Sequence, residues 1–377
     1  MRLKIRKHQA VIAGINAASV IGILALTAAG SHIARSQGYN YSARKWDSSG
    51  GSTQISCFLS EENGFNTDGV QAVRSALTKK LEEASLFPEE GKSLFNDAYS
   101  TPAGTVQLRS EGRSRCEADL TVVGGDFFFF RDFRLLSGAY FTERDLMQDG
   151  AVIDRSLAWS LFGSDNVAGM KISINDRDFY VAGVIAEPST EEEKYCDGDM
   201  PKVYISYTGA EIIGLSSDDS MMYYGEEGSD AASKFTDVST YECISPDPVE
   251  NFTLNTLKKH FNADDSDSII IVDNTHRFSP SALAKKYRKR WKAAVLDSKL
   301  TLPWWENASR IAEYKLSPIY FFRRLLFIPP VLTALWILYL IWRFISRNKG
   351  KFISAVIDKI YQINYNRHLK KKQKEVK

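Results

Sequence analysis

The chain contains few of the residues from which metal and thiol sites are built. Its 377 residues include only five histidines and four cysteines (Cys57, Cys116, Cys196 and Cys243), and no two cysteines form a C-x-x-C pair. This excludes a disulfide-dense scaffold, a zinc ribbon and a thiol redox motif. The sequence also lacks H-E-x-x-H spacing, the G-x-S-x-G nucleophile motif and the G-x-x-x-x-G-K-S/T phosphate loop. We expect no catalytic residue, no metal and no cofactor, so any ATP hydrolysis belongs to a partner subunit.

Two groups of residues allow more than one interpretation. The four cysteines are either partners in one or two disulfides, if they lie outside the cytoplasm, or small buried apolar side chains. The run Glu191-Glu192-Glu193, with Asp197 and Asp199, has carboxylates suited to calcium but lacks the ordered spacing and the glycine of an EF-hand loop. We therefore interpret this run as a solvated acidic loop.

Charge is segregated along the chain. The formal net charge is +2, but residues 1–8 carry +4 and residues 343–377 carry +9, which leaves −11 for residues 9–342. The basic ends flank two apolar segments, 10–30 and 325–345, each long enough for a helix that crosses a bilayer. Because flanks rich in Lys and Arg stay in the cytoplasm, we expect a two-pass protein of the cell membrane. Both termini would then be cytoplasmic, and residues 31–320 would be extracytoplasmic.

A cleaved signal peptide is the alternative interpretation of the first apolar segment. Its basic start and the small residues Thr27, Ala28 and Ala29 suit such a signal. The central domain would lie outside the cytoplasm in either case. The basic stretch 285–292 would then face anionic lipid headgroups or solvent, so we expect no nucleic-acid partner.

The central region shows a β-α-β pattern twice. In the first copy a strand at Ser52–Leu59 precedes a helix that begins at Asn66 and continues with apolar residues at helical spacing. In the second copy a strand at Val238–Ile244 precedes a helix that begins at Asp247-Pro248, with Val249 on its apolar face, and a strand at Ser268–Val272. The two copies are expected to pair into one split subdomain.

The segment between the copies differs in texture. Residues 149–215 contain short strands, and Asn175-Asp176 is typical of a hairpin turn. We predict an inserted, mostly β subdomain here. Residues 216–236 are rich in Ser, Asp, Glu and Gly and are expected to form a mobile surface loop, and residues 279–299 form a basic helical stretch.

The C-terminal tail contains a basic amphipathic helix. Its candidate contact residues for a lipid surface or a partner groove are Lys351, Phe352, Ile353, Val356, Ile357, Ile360 and Ile363. Both alternatives stay open, because a basic amphipathic helix binds anionic membranes and also docks into grooves. The run 368–372 is basic and is expected to face lipid.

A series of short motifs begins with residues 135–145, which read LLSGAYFTERD, and continues as far as residue 188. In order and spacing this series resembles the MacB-type periplasmic core domain of MacB/FtsX-like ABC transporter permeases. The family pattern over the first stretch is L-x-x-G-R-x-F-x-x-x-D, and here Ala139 replaces the usual arginine. The motif residues to which the resemblance gives structural roles are Gly138, Phe141, Asp145, Phe162, Gly163, Gly169 and Gly183.

The resemblance implies an α+β fold: an extracytoplasmic split, porter-like β-α-β subdomain with an inserted β-rich subdomain, placed between two transmembrane helices. It also implies a partner ABC ATPase whose work moves the extracytoplasmic domain (mechanotransmission), in export or another envelope process. The family has four membrane helices, whereas this sequence has two, so we expect a further permease subunit, in an assembly with itself or with other subunits. The alternative is a membrane-anchored receptor or scaffold that has lost ATPase coupling.

These expectations divide the chain into eight parts. In order, they are a cytoplasmic N-terminus, a first membrane helix, a first porter-like half, an inserted subdomain, a loop with the second porter-like half, a membrane-proximal helical stalk, a second membrane helix and a cytoplasmic tail. Their bounds are 1–9, 10–30, 31–148, 149–215, 216–278, 279–324, 325–345 and 346–377.

Overall fold

The computed structural model describes most of the chain. The described residues are 7–88, 91, 93–112, 114–131, 133–215, 235–263, 268–286, 300–347, 357 and 359–363. The expected mobile loop at 216–236 lies almost entirely outside them, as does most of the basic stretch at 279–299. The chain divides into two compact units, a helical unit (Met1–Ser31 with Pro318–Lys377) and an α/β unit (His32–Ser317).

Apolar helices form the helical unit. The helix α1 (Lys7–Ser36) begins in this unit. Later in the chain, α10 (Trp304–Leu326) ends in it and α11 (Ile328–Arg347) lies within it. By length and composition, α1 and the α10–α11 segment could each cross a membrane. Many of their large apolar side chains are exposed, as expected for surfaces that face lipid.

Two contacts join α1 to the later helices within this unit. The Asn16 side-chain amide donates a hydrogen bond to the Thr333 hydroxyl over 3.0 Å. Gly22 lies so close to Leu326 that a Cβ at this position would be 2.7 Å from the leucine side chain. Polar side chains and small residues of this kind let membrane helices pack closely. The pair Pro329-Pro330 lies in the first turn of α11, where a missing N–H leaves no helical bond unmade.

A mixed sheet forms the centre of the α/β unit. Its strands are β1 (Ser52–Leu59), β2 (Asn96–Ser110), β3 (Arg115–Gly125), β4 (Leu135–Gly138), β5 (Gly150–Asp154), β6 (Lys171–Ile174), β7 (Arg177–Ile185), β8 (Lys202–Ser206), β9 (Thr240–Pro246) and β10 (Ile269–Asp273). Within the described residues the strand order is β10-β1-β9-β2-β3-β8-β5-β7-β4, and β6 pairs with β2 and β7.

Shorter helices pack around this sheet. They are α2 (Ser42–Trp46), α3 (Thr67–Glu83), α4 (Phe127–Phe130), α5 (Arg155–Phe162), α6 (Glu191–Asp197), α7 (Tyr207–Ile212), α8 (Phe252–Phe261) and α9 (Pro280–Lys286). A 3-10 helix at Gly38–Tyr41 connects α1 to α2. We call residues 37–41 the connector.

The predicted split subdomain is present. Strand β1 lies between β10 and β9 and is antiparallel to both, so the two β-α-β copies interleave in one sheet. Helices α3 and α8 cover this part of the sheet with a shared core that includes Val73, Leu77, Tyr241 and Leu257. A second core, under α5 and α7, belongs to the β-rich part between the copies. The α+β fold with a β-rich insertion is therefore confirmed.

Strand β2 runs through both parts of the sheet. Its first residues, Asn96–Ser100, pair with β9, and its last, Leu108–Ser110, pair with β6. Its register with β3 shifts between Pro102 and Thr105, next to Gly104, which has a positive φ of 74°.

Local signals gave correct elements where they were specific. Strand β1 has its predicted bounds. The Asn66 side chain accepts a hydrogen bond from the Gly69 amide over 2.9 Å and caps α3 as predicted. Asn175 and Asp176 both have positive φ, as a tight two-residue hairpin requires.

Two sequence interpretations are wrong. Helix α8 begins at Phe252 and not at Asp247-Pro248, because Asn251 adopts a left-handed conformation that interrupts the helix. The Asp247 carboxylate instead accepts hydrogen bonds from the amides that precede and begin α8, and Val249 is 68% exposed. The acidic run is also not a solvated loop, since its residues form α6 and Glu193 is buried.

Candidate functional site

Charged residues lie on the buried face of α10. Glu306, Ser309 and Glu313 recur at helical spacing and are each at most 2% exposed, beside the buried residues Ala308 and Ala312. A buried carboxylate is unfavourable unless it is paired and hydrogen-bonded. Both carboxylates are paired, and their cationic partners come from the segment before α10 and from α10 itself.

Arg277 lies between the two carboxylates. Its Nη1 and Nη2 donate to the two oxygens of Glu306 over 2.6 and 2.8 Å, and its Nε donates to Glu313 over 2.6 Å. Nη1 also donates to the side-chain carbonyl of Asn274 over 3.1 Å. Burial would lower the pKa of Arg277, but the two carboxylates raise it, so the guanidinium stays charged.

Glu313 has a second cationic partner. Lys286 of α9 contacts its other carboxylate oxygen. Burial alone would raise the pKa of Glu313, but the charges of Arg277 and Lys286 outweigh burial and lower it. Glu306 likewise accepts a hydrogen bond from Arg310, one helical turn further along α10, over 2.7 Å.

A second buried ion pair adjoins the first group. Arg131, which follows α4, pairs with Glu242 of β9, and both side chains are almost fully buried. The guanidinium carbon of Arg131 is 3.8 Å from the ring centre of Trp305, a cation–π contact at the start of α10. Glu242 also accepts from Ser56 of β1 over 2.8 Å, and Ser56 accepts from Asn274 over 2.8 Å. The two ion pairs therefore belong to one hydrogen-bonded group.

The connector joins the same group. The Asn40 side-chain amide donates to Ser309 over 2.8 Å, and Ser309 donates to the Tyr39 hydroxyl over 3.3 Å. The Gln54 side chain of β1 donates to the main-chain carbonyl of Tyr39 over 2.8 Å. Burial raises the pKa of Tyr39, which keeps its phenol protonated as a donor.

We call this group the ionic junction. Its members are Tyr39, Asn40, Ser56, Arg131, Glu242, Asn274, Arg277, Trp305, Glu306, Ser309 and Glu313. It links the connector after α1, strands β1 and β9, the end of β10 and the first turns of α10. Its cations and carboxylates pair with one another inside the protein. The arrangement is therefore suited to holding these segments together and not to binding a substrate.

A cavity of about 410 Å³ lies beside the junction. Its lining includes Tyr39 and Trp304 and the charged residues Arg134, Glu187 and Lys194. Glu193 and Lys194 of α6 thus line the same space as the connector.

Comparison with known proteins identifies the family. The MacB-like periplasmic core domain family matches residues 14–233, more than half of the chain. This chain belongs to that family. It therefore contains the periplasmic-type domain of ABC transporter permeases, flanked by two candidate membrane helices. No match was found among curated proteins.

Solved structures of MacB-like domains are among the similar folds. The periplasmic region of MacB from Actinobacillus actinomycetemcomitans is 17% identical, with 59% of this chain and 88% of that chain covered and a TM-score of 0.34. The extracellular domain of the noncanonic ABC-type transporter YknZ from Gram-positive bacteria is 11% identical, with 58% and 99% covered and a TM-score of 0.35.

Two of the MacB-like motif residues, Gly138 and Gly183, lie where β4 and β7 approach closely. Gly138 has a positive φ of 74°, and a Cβ there would lie 2.1 Å from the carbonyl oxygen of Ala182. A Cβ on Gly183 would lie 2.5 Å from the carbonyl oxygen of Ala139. Both positions require glycine because two main chains meet there without room for a side chain.

The other motif residues either pack against apolar side chains or lie in turns. Phe141 packs edge-on against Phe128 with ring centres 5.1 Å apart. Asp145 accepts from the main-chain amide and the hydroxyl of Thr142, each over 3.0 Å. Phe162 packs against the core of the β-rich part. Gly163 and Gly169 adopt positive φ after α5 and before β6.

Part of the candidate tail contact is described. Ile357, Ile360 and Ile363 are helical and between 46% and 53% exposed, so they present an apolar surface. The remaining candidates lie outside the described residues, namely Lys351, Phe352, Ile353 and Val356.

The four cysteines are free in the described structure. Cys57 and Cys243 lie in the core on the neighbouring strands β1 and β9, and burial raises the pKa of both thiols. Cys116 and Cys196 are only half-buried, so the interpretation of all four as buried apolar side chains is wrong for these two.

Sequence reasoning missed the ionic junction. Its residues belong to no motif, and their partners are up to 270 residues apart along the chain. One local signal was available: in α10 two glutamates share a helical face with small and apolar residues. A carboxylate on the apolar face of an amphipathic helix predicts a buried cation from elsewhere in the fold.

Proposed function

We propose that this chain is a non-catalytic membrane subunit of a MacB-like ABC transporter complex. A partner ATPase would move the membrane helices of this chain. Those helices would in turn move the α/β unit, which would lie outside the cytoplasm. The basic flanks of both apolar segments favour cytoplasmic termini. The cell membrane is therefore the proposed location. The eight parts of the chain keep the bounds that were predicted from the sequence.

The ionic junction is the observation that carries this proposal. It fastens the chain just after α1 and the start of α10 to β1, β9 and β10. Leaving one member of a buried ion pair without its partner costs about 3–5 kcal/mol, so these segments resist separation. A displacement of α10 would then be passed to the sheet and not absorbed by a loose linker.

The proposed partners follow from the helices and the tail. An ABC ATPase is expected on the cytoplasmic side, where the tail offers the exposed face of Ile357, Ile360 and Ile363. Further permease helices are expected beside α1 and α11, from another subunit or from a second copy. Membrane lipid is the competing partner of the tail.

Affinity purification of the full-length protein from its native membranes, followed by mass spectrometry, tests the function. We expect an ABC ATPase among the co-purifying proteins. An Ile360→Asp variant should lose the ATPase if the apolar face of the tail binds it, whereas Gln362→Asp adds the same charge on another face of the same helix and should retain it.

Each outcome of this experiment has a defined meaning. Recovery of the ATPase with every variant would keep the function and move the contact away from the tail. Absence of an ATPase from the wild-type sample, under conditions in which a known ABC complex survives extraction, would reject the transporter subunit and favour the receptor or scaffold.

A further inference from the structure

Helix α6 contacts α10 and lies near the last turns of α1. Glu192 accepts a hydrogen bond from Lys315 of α10 over 2.7 Å. The imidazole of His32, in the last turns of α1, lies within electrostatic range of the same carboxylate. Burial alone would raise the pKa of Glu192, but the hydrogen bond and the charge of Lys315, together with a main-chain hydrogen bond, outweigh burial and lower it.

The beginning of α6 is fixed by its own residues. Thr190 and Glu193 form a reciprocal capping box, in which each side chain accepts from the main-chain amide of the other. Glu193 also accepts from the Ser189 amide over 3.2 Å. This turn therefore positions Glu192 as a preformed acceptor.

The other end of α6 faces the sheet. The Asp197 carboxylate is 3.9 Å from the Lys202 ammonium of β8, whose closer partner is Asp119 of β3, over 2.8 Å. The Asp197 oxygen nearest to Lys202 is buried and accepts no hydrogen bond. The ion pair at this end of α6 is therefore longer than the one with α10, but the chain itself continues from α6 into β8 and keeps this end beside the sheet.

We infer that α6 is a clasp that holds the β-rich part of the sheet to α10 and opens when α10 moves. The inference deepens the proposed function, because it names the contact that changes during the movement. Two ion-pair contacts hold α10 in the α/β unit, the ionic junction and the clasp, and the clasp is the weaker one. Its Lys315 is 48% exposed, whereas both partners of the Arg277–Glu306 pair are 2% exposed.

The two attachments differ in strength for this reason. An exposed ion pair contributes at most about 1 kcal/mol, whereas breaking a buried one costs several times more. A shift of α10 therefore separates Glu192 from Lys315 while the ionic junction stays closed.

Hydrogen–deuterium exchange of the full-length protein in detergent micelles tests the clasp without a partner. Lys315→Glu replaces the attraction to Glu192 by repulsion and should raise amide exchange in residues 193–198 about fivefold, the change that 1 kcal/mol gives. The charge-swapped double variant, Glu192→Lys with Lys315→Glu, restores the pair and should return exchange to within about twofold of wild type.

Two controls make the result decisive. Lys79→Glu makes the same change at an exposed position on α3 and should leave α6 unaffected. The amides of β8 should exchange at the wild-type rate in every variant. Unchanged exchange in Lys315→Glu, equal acceleration in the charge-swapped variant, or a parallel rise in β8 would each overturn the clasp. None of these outcomes depends on an ATPase, so they are separate from failure of the proposed function.

Discussion

Replacement of Arg277 by methionine is the sharpest test of the ionic junction. The methionine would fill a similar volume but leave two buried carboxylates, Glu306 and Glu313, without their shared cation. Removing one partner of a buried ion pair typically costs about 3–5 kcal/mol. Because Arg310 and Lys286 keep contact with one carboxylate each, we expect the lower part of that range, about 3–4 kcal/mol.

Thermal unfolding of the full-length protein in detergent measures this loss. A loss of 1 kcal/mol lowers the Tm of a large domain by roughly 2–4 °C, so Arg277→Met should lower the transition of the α/β unit by about 6–16 °C. Arg310→Met is the matched control. It removes a cation from the same Glu306, but from a side chain that is 21% exposed, and should cost about 1 kcal/mol or less.

A rescue variant separates charge from shape. Combining Arg277→Met with Glu306→Gln and Glu313→Gln removes the stranded charges and should recover at least half of the lost stability. If Arg277→Met cost less than about 1 kcal/mol, or if the triple variant were no more stable than the single one, the junction would not hold the unit together.

Three further predictions concern pH, glycine and thiols. Burial raises the pKa of Asp197 to about 7, so its neutral form adds stability that is complete below about pH 4 and is lost as pH rises through 7. In urea unfolding at pH 8, Asp197→Asn should therefore be more stable than wild type by up to about 4 kcal/mol. The same dependence of unfolding free energy on pH in both proteins would refute this. Gly163→Ala has open space around it and should cost roughly 1–2 kcal/mol, whereas Gly138→Ala should cost more, as measured by Tm. Maleimide should label two of the four cysteines in the native protein, with the β1 and β9 thiols reacting only after unfolding.

Elements with local causes were predictable from the sequence. The cap at Asn66 and the turn at Asn175-Asp176 depend on side chains within a few residues of one another, so the sequence alone specifies them. The order of the strands was not predictable in this way. Periodicity does not say which strands pair. The split sheet was therefore predicted from a repeated β-α-β pattern together with a family resemblance.

The candidate site was beyond sequence reasoning for a physical reason. Arg131 and Glu242 are 111 positions apart, and each looks like an ordinary surface charge in its own segment. Burial of such a pair is decided by the packing of segments that are far apart in the sequence. The acidic run of α6 shows the same limit, since its charge indicates solvent exposure while its capping box and its contact with Lys315 place it against other elements.

Strand β2 determines how the α/β unit can deform. Because β2 hydrogen-bonds to β9 at one end and β6 at the other, a force on one part of the sheet reaches the other along covalent bonds. The two parts therefore cannot slide past each other or separate without breaking the strand pairing. Bending is allowed where the register with β3 is interrupted, between Pro102 and Thr105. This interruption lies between the residues of β2 that pair with β9 and those that pair with β6, so a bend there would change the angle between the two parts of the sheet.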